Sequence, residues 1–534
     1  MKAKYILVAS AFLLSLASCN KFLDTMPDNR AEVDSAEKVK AILVSAYATR
    51  LQLVFAEYYS DNADDNAKVV SNATPGRYYE QIWSWTDITE TANDSPDNVW
   101  SSNWGAIAAA NQALEAIEEL GGKDDPALSE SYGEALICRA YAHFVLVNLF
   151  CLNYNPATSA TDQGIPYMEH PEQGLNPQYE RGNVAEVYEK IERDLEEGLK
   201  YVGDSYTAPK YHFTRQAAYA FATRFYLFYE KWDKAVEAAN MCLGNAPATL
   251  MRDNAYLQTL PDLSTAAEHY IASDQKCNLL LQTNMSSLAR YAFANYGGSY
   301  KRFGFTRSIA DTEVMYAKQA WTPSGCNNSA YIFRPRNYDS SNLHYTLFWK
   351  VPRLFEYTDP VAGTGYGQTI VPTFTIEGTL LERAEANIML GNYQLACDDL
   401  NLWIGNTYDS AATTVDFEVT PDEIQAHYSG MAYYTWEEPT PKKHLNPAFH
   451  IDAEGSMQES MLQAVLNAKR IELLASGYRW LDIKRYGIEI VRRHVDDNAY
   501  YDHISDTMTK DDPRRALQVP QRARDAGFEP TKRK

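Results

Sequence analysis

The sequence predicts a mainly α-helical protein, in which helix pairs of the tetratricopeptide-repeat type form a scaffold that carries a loop-rich half. Three observations support this fold class. Several segments place apolar residues every three to four positions and end at glycine or proline, as amphipathic helices do. Two segments, ATRFYLFYEKWDKAVEAA and RAEANIMLGNYQLACDDL, share a helix–turn–helix layout. Long stretches rich in aromatic residues, asparagine and glycine show neither helical nor strand periodicity.

The predicted helices follow one another from residue 36. Residues 58–103 are rich in Asn, Asp, Tyr and Trp and are predicted to be loop. Residues 246–366 and 407–452 are likewise irregular, and loops of such length inside a compact domain are usually functional. The helices are predicted over residues 36–47, 104–120, 128–152, 184–201, 215–230, 232–243 and 457–476, and a polar tail follows the last helical stretch.

The two repeat-like segments each place an aromatic residue three positions before an alanine. These residues are Trp232 and Ala235 in the first segment, and Tyr393 and Ala396 in the second. Small residues let paired helices approach closely, and aromatic residues fill the gaps between them. Because the copies are about 160 residues apart, the sequence predicts repeat pairs separated by long insertions and not a continuous tandem array.

Composition and charge restrict the possible partners. The chain has 534 residues, of which 45% are hydrophobic and 22% charged, as in an ordinary globular protein. Its formal net charge of −21 repels polyanions and argues against nucleic acid as a partner. The 38 tyrosines and 10 tryptophans exceed what a core needs, so some of them are expected to line a surface. The seven cysteines show no CxxC pair or metal-ligand spacing, which predicts buried free thiols and no metal site.

The N-terminus has the layout of a secretory signal. Lys2 and Lys4 precede an apolar run over residues 5–17 that is too short to span a bilayer as a stable helix. The run is followed by serine and then Cys19, and this junction resembles the bacterial lipobox, in which the cysteine is acylated. An ordinary signal peptide with a chance cysteine is the alternative. The lipobox interpretation predicts a signal peptide over residues 1–18 and a lipid anchor at Cys19.

Further motifs run in a fixed order through most of the mature chain. They are Asn20–Asp24; Trp104, Ile107 and Asn111; Arg139–Phe144 with Gly164–Pro166; Thr214–Ala218; Arg470, Glu472, Leu473, Gly477, Arg479, Asp482 and Arg485; and Val519–Gln521. Together with the lipobox, they resemble the SusD/RagB family of outer-membrane nutrient-binding lipoproteins, the SusD-like proteins of starch-utilisation systems. Ala468 and Ser476 depart from the pattern, because the family commonly has Glu at both positions.

The resemblance implies a SusD-like fold and the function of a cell-surface glycan-binding lipoprotein. Such a protein captures oligosaccharide or polysaccharide as a nutrient and delivers it to a SusC-like TonB-dependent transporter. It is lipid-anchored to the outer membrane and faces the exterior. Some members bind peptides, so a peptide-binding lipoprotein of the same transporter type is the alternative. The family supplies no catalytic residues and no cofactor.

The resemblance also divides the mature chain into two regions. Residues 19–245 form the N-terminal region, with the tetratricopeptide-like helices and the first ligand-facing loop. Residues 246–534 form the C-terminal region, with loop-rich insertions and the terminal helices. The decisive ligand contacts are expected in the loops, which carry no family pattern.

A glycan-binding site needs flat aromatic faces for the apolar sides of sugar rings, and polar groups around them for the hydroxyls. The loops supply both types of residue. For each tryptophan, packing of the loop against the scaffold is the alternative, and packing is the role expected for Trp100 and Trp104. The predicted ligand-binding residues are Trp83, Trp85, Trp321 and Tyr296, with Arg77, Asp61 and Asn62 as polar partners.

The sequence gives less support to other functions. The acidic run from Asp61 to Asn66 resembles a calcium loop but lacks its glycine and distal glutamate, which favours a solvated loop. A surface glycoside hydrolase is the remote alternative, since no nucleophile elbow, phosphate-binding glycine loop or HExxH helix is present. The chain is therefore predicted not to be an enzyme. A purely protein-binding scaffold is the third class, and His143 is expected to be a scaffold residue.

The stretch RIELLASGYRWLDIKRYG combines charged and aromatic residues, yet its periodicity predicts a structural role. Its apolar residues continue the stripe of a helix that Gly477 is expected to end. The spacing of Asp482 and Arg485 allows an ion pair within one helix. Glu472, Arg479 and Asp482 are predicted to bind neighbouring elements and not a ligand.

Overall fold

The protein is built mainly from helices, in agreement with the predicted fold class, and shorter strands complete it. The structure is a computed structural model that describes residues 33–68, 77–172, 179–286, 302–322, 338–340, 345–347, 350–408, 417–498 and 500–533. The helices are α1 Ala36–Leu43, α2 Leu53–Tyr59, α3 Arg77–Trp83, α4 Pro96–Leu120, α5 Ser129–Phe150, α6 Val184–Tyr201, α7 Arg215–Phe228, α8 Trp232–Leu243, α9 Asn254–Thr259, α10 Leu263–Tyr270, α11 Arg307–Thr312, α12 Ile376–Met389, α13 Tyr393–Thr407, α14 Pro421–Ser429, α15 Met457–Glu472, α16 Tyr478–Arg485 and α17 Gln521–Asp525. The strands are β1 Asp64–Asp65, β2 Asn278–Asn284, β3 Phe303–Gly304, β4 Tyr338–Ser340, β5 Tyr345–Leu347, β6 Leu354–Asp359, β7 Thr364–Thr375, β8 Ile490–Val495 and β9 Tyr501–Met508.

The two repeat-like segments form helix pairs, as predicted. Helix α7 packs against α8, and α12 packs against α13. Helix α8 also packs against α12, so pairs that are far apart in the sequence are neighbours in the fold. The alanines of the repeat pattern, Ala235 and Ala396, are fully buried. The insertion between the pairs therefore leaves the helical scaffold continuous in space.

Helix α4 begins earlier than predicted, at Pro96 instead of Trp104. The side chain of Ser95 accepts a hydrogen bond from the Asn98 N–H, and proline at the first helical position has no N–H to leave unpaired. Trp100 and Trp104 thus lie within the helix. The Trp100 ring packs edge-to-face on Phe150, with 4.8 Å between ring centroids, in the packing role expected for it.

Regions predicted to be irregular contain regular structure. Strand β2 pairs with β7 in antiparallel register, with Asn278 opposite Thr375, and the sheet order is β2-β7-β6. Helix α14 lies within the predicted irregular insertion 407–452, and the predicted polar tail forms the hairpin β8–β9. A second sheet has the order β3-β1-β8-β9 and joins strands from the beginning, middle and end of the chain.

The turn between α15 and α16 differs from its prediction. Helix α15 ends at Glu472, so Gly477 does not end it but precedes α16, with a left-handed φ of 78°. A Cβ at this position would lie 3.0 Å from the Ala56 Cβ and 3.2 Å from the Leu53 Cα. Glycine therefore suits the turn both in its backbone angle and in its close approach to α2.

Two further expectations concern the described residues. Their five cysteines, Cys138, Cys151, Cys242, Cys277 and Cys397, are buried free thiols, as predicted. Within the same ranges, no helix combines the length and the apolar character needed to cross a membrane.

Candidate functional site

Two predicted polar ligand partners, Asp61 and Asn62, lie in the interior. The Asp61 carboxylate accepts two hydrogen bonds from the Arg479 guanidinium, at 2.9 and 2.8 Å. The Asn62 side chain accepts from Arg470 at 2.9 Å and donates to Glu57 at 2.8 Å. These hydrogen bonds tie the loop after α2 to α15 and α16, in line with the structural role expected for Arg479.

These pairs belong to a buried network of charges. Burial alone would raise the pKa of Asp61, but Arg470 and Arg479 hold it well below its usual range. Glu313 lies at the centre, where Arg493, Lys443 and Arg470 outweigh the effect of burial and lower its pKa to about 2. Each carboxylate is thus ionised and matched by cations, as buried charges must be.

The acidic residues after Asp61 are also buried and paired with cations. Asp64 pairs with Arg493 at 2.8 Å, and Asp65 pairs with Arg302 at 2.8 Å. The second oxygen of Asp64 accepts from the Thr306 hydroxyl at 2.7 Å, so these buried residues are neither a solvated loop nor free for calcium. Among the residues that the structure describes, no group of His, Cys, Asp and Glu could hold a metal ion.

The predicted tryptophans are buried, with 4%, 3% and 2% of their surfaces exposed at Trp83, Trp85 and Trp321. Trp83 stacks on Phe303 with 4.8 Å between centroids. Trp321 packs edge-to-face on Trp403, with 5.7 Å between centroids. None of the three offers a ring face to a ligand in this structure, which favours the packing alternative, so any effect on binding would be indirect. Their part in ligand binding stays a prediction.

Of the other predicted residues, one lies on the surface. The side chain of Arg77 is exposed and pairs with Glu90 at 3.4 Å. Tyr296 and the predicted lipidation site Cys19 lie outside the described residues.

A cleft lies beside this ion pair, between the loop 86–91 and the C-terminal segment 517–533. Its volume is 420 Å³, within the range typical of small-molecule sites. Ile88, which is partly exposed, supplies an apolar wall, and threonine hydroxyls, glutamine amides and charged groups surround it. The cleft thus combines the apolar and polar surfaces that a carbohydrate requires.

Two polar atoms of residues that line the cleft are buried without a hydrogen-bond partner. They are Oδ1 of Asp97, an acceptor, and Nε of Arg524, a donor. The second carboxylate oxygen of Asp97 is bound by Arg522 at 2.9 Å. Buried polar groups in folded proteins almost always have a partner. The Asp97 and Arg524 side chains therefore retain unused hydrogen-bonding capacity at the cleft.

The other charges around the cleft are largely compensated. Asp97 pairs with Arg522, and Asp87 pairs with Arg533 at 3.3 Å. Glu90 pairs with Arg77, as described above. This balance of charge favours a neutral polar ligand over an ionic one.

Trp85 positions the loop that forms one wall of the cleft. Its φ of 53° lies in the left-handed region, which is uncommon for a bulky residue. The indole N–H donates to the Tyr59 carbonyl at 2.9 Å, and the Arg492 guanidinium lies 3.9 Å from the ring centroid. These contacts hold the strained backbone immediately before Thr86, where the cleft begins.

A second concavity, of 580 Å³, lies between α5 and α6. Its arginines and acids bind one another: Arg139 pairs with Asp194 at 2.6 Å, and Arg193 pairs with Glu169 at 2.7 Å. Nearby, His143 is a scaffold residue as expected, since its Nε2 accepts from the Met168 N–H and burial lowers its pKa to about 3. This concavity is highly charged and has less apolar wall than the cleft.

Sequence reasoning missed most of the cleft. It placed a ligand-facing loop within residues 58–103, where Thr86–Thr91 lie, but it did not nominate Asp97 or Arg524. The one available signal was the closing motif Val519–Gln521, which lines the cleft. That motif indicated a family and not a binding surface.

Comparison with known proteins agrees with the resemblance in the sequence. Residues 21–227 match a SusD-like family model, described as starch-binding and associating with the outer membrane. No curated protein matches the chain. A SusD-like carbohydrate binding protein from Bacteroides vulgatus is 14% identical with a TM-score of 0.56, and the alignment covers 92% of this chain and 96% of that protein.

Two further crystal structures share the fold. A SusD superfamily protein from Bacteroides thetaiotaomicron is 16% identical with a TM-score of 0.59, over 93% of this chain and 100% of its own. One from Bacteroides fragilis is 18% identical with a TM-score of 0.60, over 92% of this chain and 98% of its own. Residues 21–227 thus match a SusD-like family model, and the chain shares the fold of SusD superfamily proteins over more than nine-tenths of its length.

Proposed function

We propose that the chain binds carbohydrate at the cell surface, in the cleft between the loop 86–91 and the C-terminal segment. The observation that carries the proposal is a cleft of 420 Å³ in which the apolar Ile88 lies among threonine hydroxyls, glutamine amides and paired charges. Sugar hydroxyls donate and accept at once, and the apolar side of a sugar ring fits the wall formed by Ile88. The chain binds its ligand without transforming it.

The comparisons support the same ligand class. The family model is described as starch-binding, and a protein of the same fold is described as carbohydrate binding. By analogy with the family, the bound oligosaccharide or polysaccharide passes to a SusC-like TonB-dependent transporter in the outer membrane. A peptide-binding lipoprotein with the same transporter partner is the alternative that the binding experiments separate.

The Arg524→Met variant should bind its glycan more weakly. Loss of a hydrogen bond from a charged group costs about 1.5–3 kcal/mol, which corresponds to a Kd raised about 10- to 150-fold. The measurement is isothermal titration calorimetry of the full-length chain in mild detergent, with the oligosaccharide that the unmodified chain binds best in a glycan array.

Arg215→Met is the matched control, since Arg215 is exposed on α7, away from the cleft. Its Kd should equal that of the unmodified chain. Equal Kd values for Arg524→Met and Arg215→Met would contradict a carbohydrate site in the cleft. Binding of peptides with no binding of glycans would favour the alternative ligand class.

Lipid anchoring at Cys19 gives a second expected result. In cells that process bacterial lipoproteins, the chain should incorporate labelled fatty acid and sediment with the outer membrane, because acyl chains on one residue hold it there. The Cys19→Ala variant should incorporate no label and appear in the soluble fraction. Cys151→Ala, at a buried thiol, is the control. Fatty-acid labelling of Cys19→Ala at the unmodified level would contradict the lipobox interpretation.

A further inference from the structure

The hairpin formed by β6 and β7 exposes two aromatic rings. Phe355 and Tyr357 have 43% and 58% of their surfaces exposed. They are two positions apart on one strand and so share a face of the sheet. Their ring centroids are 4.9 Å apart and their planes cross at 70°, so the two rings form an open corner. We call this pair the aromatic corner.

The opposite strand leaves room above the corner. Phe355 is paired with Gly367, and Tyr357 with Gly365. A Cβ at Gly365 would lie 1.9 Å from the Glu356 carbonyl oxygen and 2.8 Å from Cε1 of Phe355. A side chain is therefore excluded at the position beside the rings. The cross-strand neighbours of the aromatic corner, both glycines, thus place no side chain over it.

The surroundings of the corner are polar. Thr358 and Asp359 are exposed next to the corner, at the end of β6. The Thr358 hydroxyl donates to the Thr364 carbonyl, and the Asp359 Oδ1 accepts from the Val361 and Ala362 N–H groups. Both side chains keep acceptor capacity for hydroxyl groups of a ligand. Exposed rings next to such groups match the two kinds of surface that a sugar presents, an apolar ring side and a rim of hydroxyls.

We propose that the aromatic corner is a second carbohydrate-binding site, separate from the cleft, which stacks one or two sugar rings of a polysaccharide. Two half-exposed side chains are too small for a stable protein–protein interface, which buries about 1,200–2,000 Å². They are large enough for single sugar rings. The inference rests on the proposed function, since the corner would engage a polymer that also occupies the cleft. Two weak contacts on one polymer bind far more tightly than either alone.

The Phe355→Ala/Tyr357→Ala variant tests this inference. We expect retardation in native gels that contain amylopectin, laminarin or xylan to weaken by about 10-fold or more in apparent affinity, since one of two linked contacts is lost. Binding of the matching hexasaccharide in calorimetry should not change, because a short ligand occupies the cleft alone. The protein is the full-length chain in mild detergent. Tyr500→Ala removes a ring that is 72% exposed on another hairpin and should leave both readouts unchanged.

The possible outcomes distinguish the two proposals. Equal retardation of the double variant and Tyr500→Ala would overturn the second site and leave the cleft intact. Loss of hexasaccharide binding in the double variant would also overturn it, because the corner would then be part of the main site. If the double variant instead lost a co-purifying transporter while its retardation stayed unchanged, the corner would be a protein contact. No retardation of the unmodified chain by any of the three polymers would overturn the second site, and the cleft would then be judged by the glycan array and the Arg524→Met titration.

Discussion

Replacing Arg479 by alanine is expected to lower the free energy of unfolding by about 3–5 kcal/mol, the usual cost of removing one partner of a buried ion pair. Arg479 is 4% exposed and binds both carboxylate oxygens of Asp61, at 2.9 and 2.8 Å. In the variant, the Asp61 carboxylate keeps Arg470, at 3.4 Å. The measurement is urea-induced unfolding followed by circular dichroism.

The Arg307→Ala variant is the matched control. Arg307 pairs with Asp311 at 3.2 Å, but both side chains are more than two-fifths exposed, and surface pairs contribute about 0–1 kcal/mol. The folded fraction of Arg479→Ala should keep its affinity for glycan, because Arg479 does not line the cleft. A loss of glycan affinity at unchanged stability would instead assign Arg479 to ligand binding.

The sequence predicted helices well where an apolar stripe and an end signal coincide. Helix α6 was predicted at its observed bounds, Val184–Tyr201, and Asn183 caps it by accepting from the Glu186 N–H. The start of α4 was predicted too late because its first turn is polar and aromatic, although Ser95 and Pro96 are a start signal. Strands β2 and β7 were missed because their pairing joins residues about ninety positions apart, which no local pattern shows.

The candidate site was less predictable than the fold, because its contacts, like those between β2 and β7, join residues that are far apart in the chain. Asp61 resembled a loop residue available to a ligand, but its partner Arg479 is 418 positions away in the chain. Trp83 and Trp85 have the residue type of a sugar platform, while their burial depends on Phe303 and Arg492. The cleft joins the loop 86–91 to the C-terminal segment, so only the tertiary structure brings Asp97 and Arg524 together.

Lys484 gives the second large expected effect, a dependence of stability on pH. Its ammonium group is buried and donates to the carbonyl oxygens of Asn148 and Cys151, at 2.5 and 2.8 Å, at the end of α5. Burial lowers the pKa of Lys484 from 10.5 to about 7. A neutral amine still has two N–H groups for these two carbonyls, so the uncharged side chain keeps its hydrogen bonds.

The sign of the effect follows from proton binding. Between about pH 7 and 10.5 the unfolded chain holds the Lys484 proton and the folded chain does not, so stability rises with pH. Below about pH 7 both states hold it, and the folded protein carries the full cost of a buried ammonium. From pH 6 to pH 9, the contribution of Lys484 to the free energy of unfolding should rise by about 3 kcal/mol.

The Lys484→Met variant isolates this contribution from the other groups that titrate over the same range. Methionine fills a similar volume but binds no proton, and it leaves the two carbonyls without a donor at every pH. The unfolding free energy of the unmodified chain minus that of Lys484→Met should therefore rise by about 3 kcal/mol from pH 6 to pH 9. The same difference for Lys38→Met, at an exposed lysine of α1, should stay constant. A pH-independent difference for Lys484→Met would mean that the buried side chain keeps its proton, so that the end of α5 accommodates a cation.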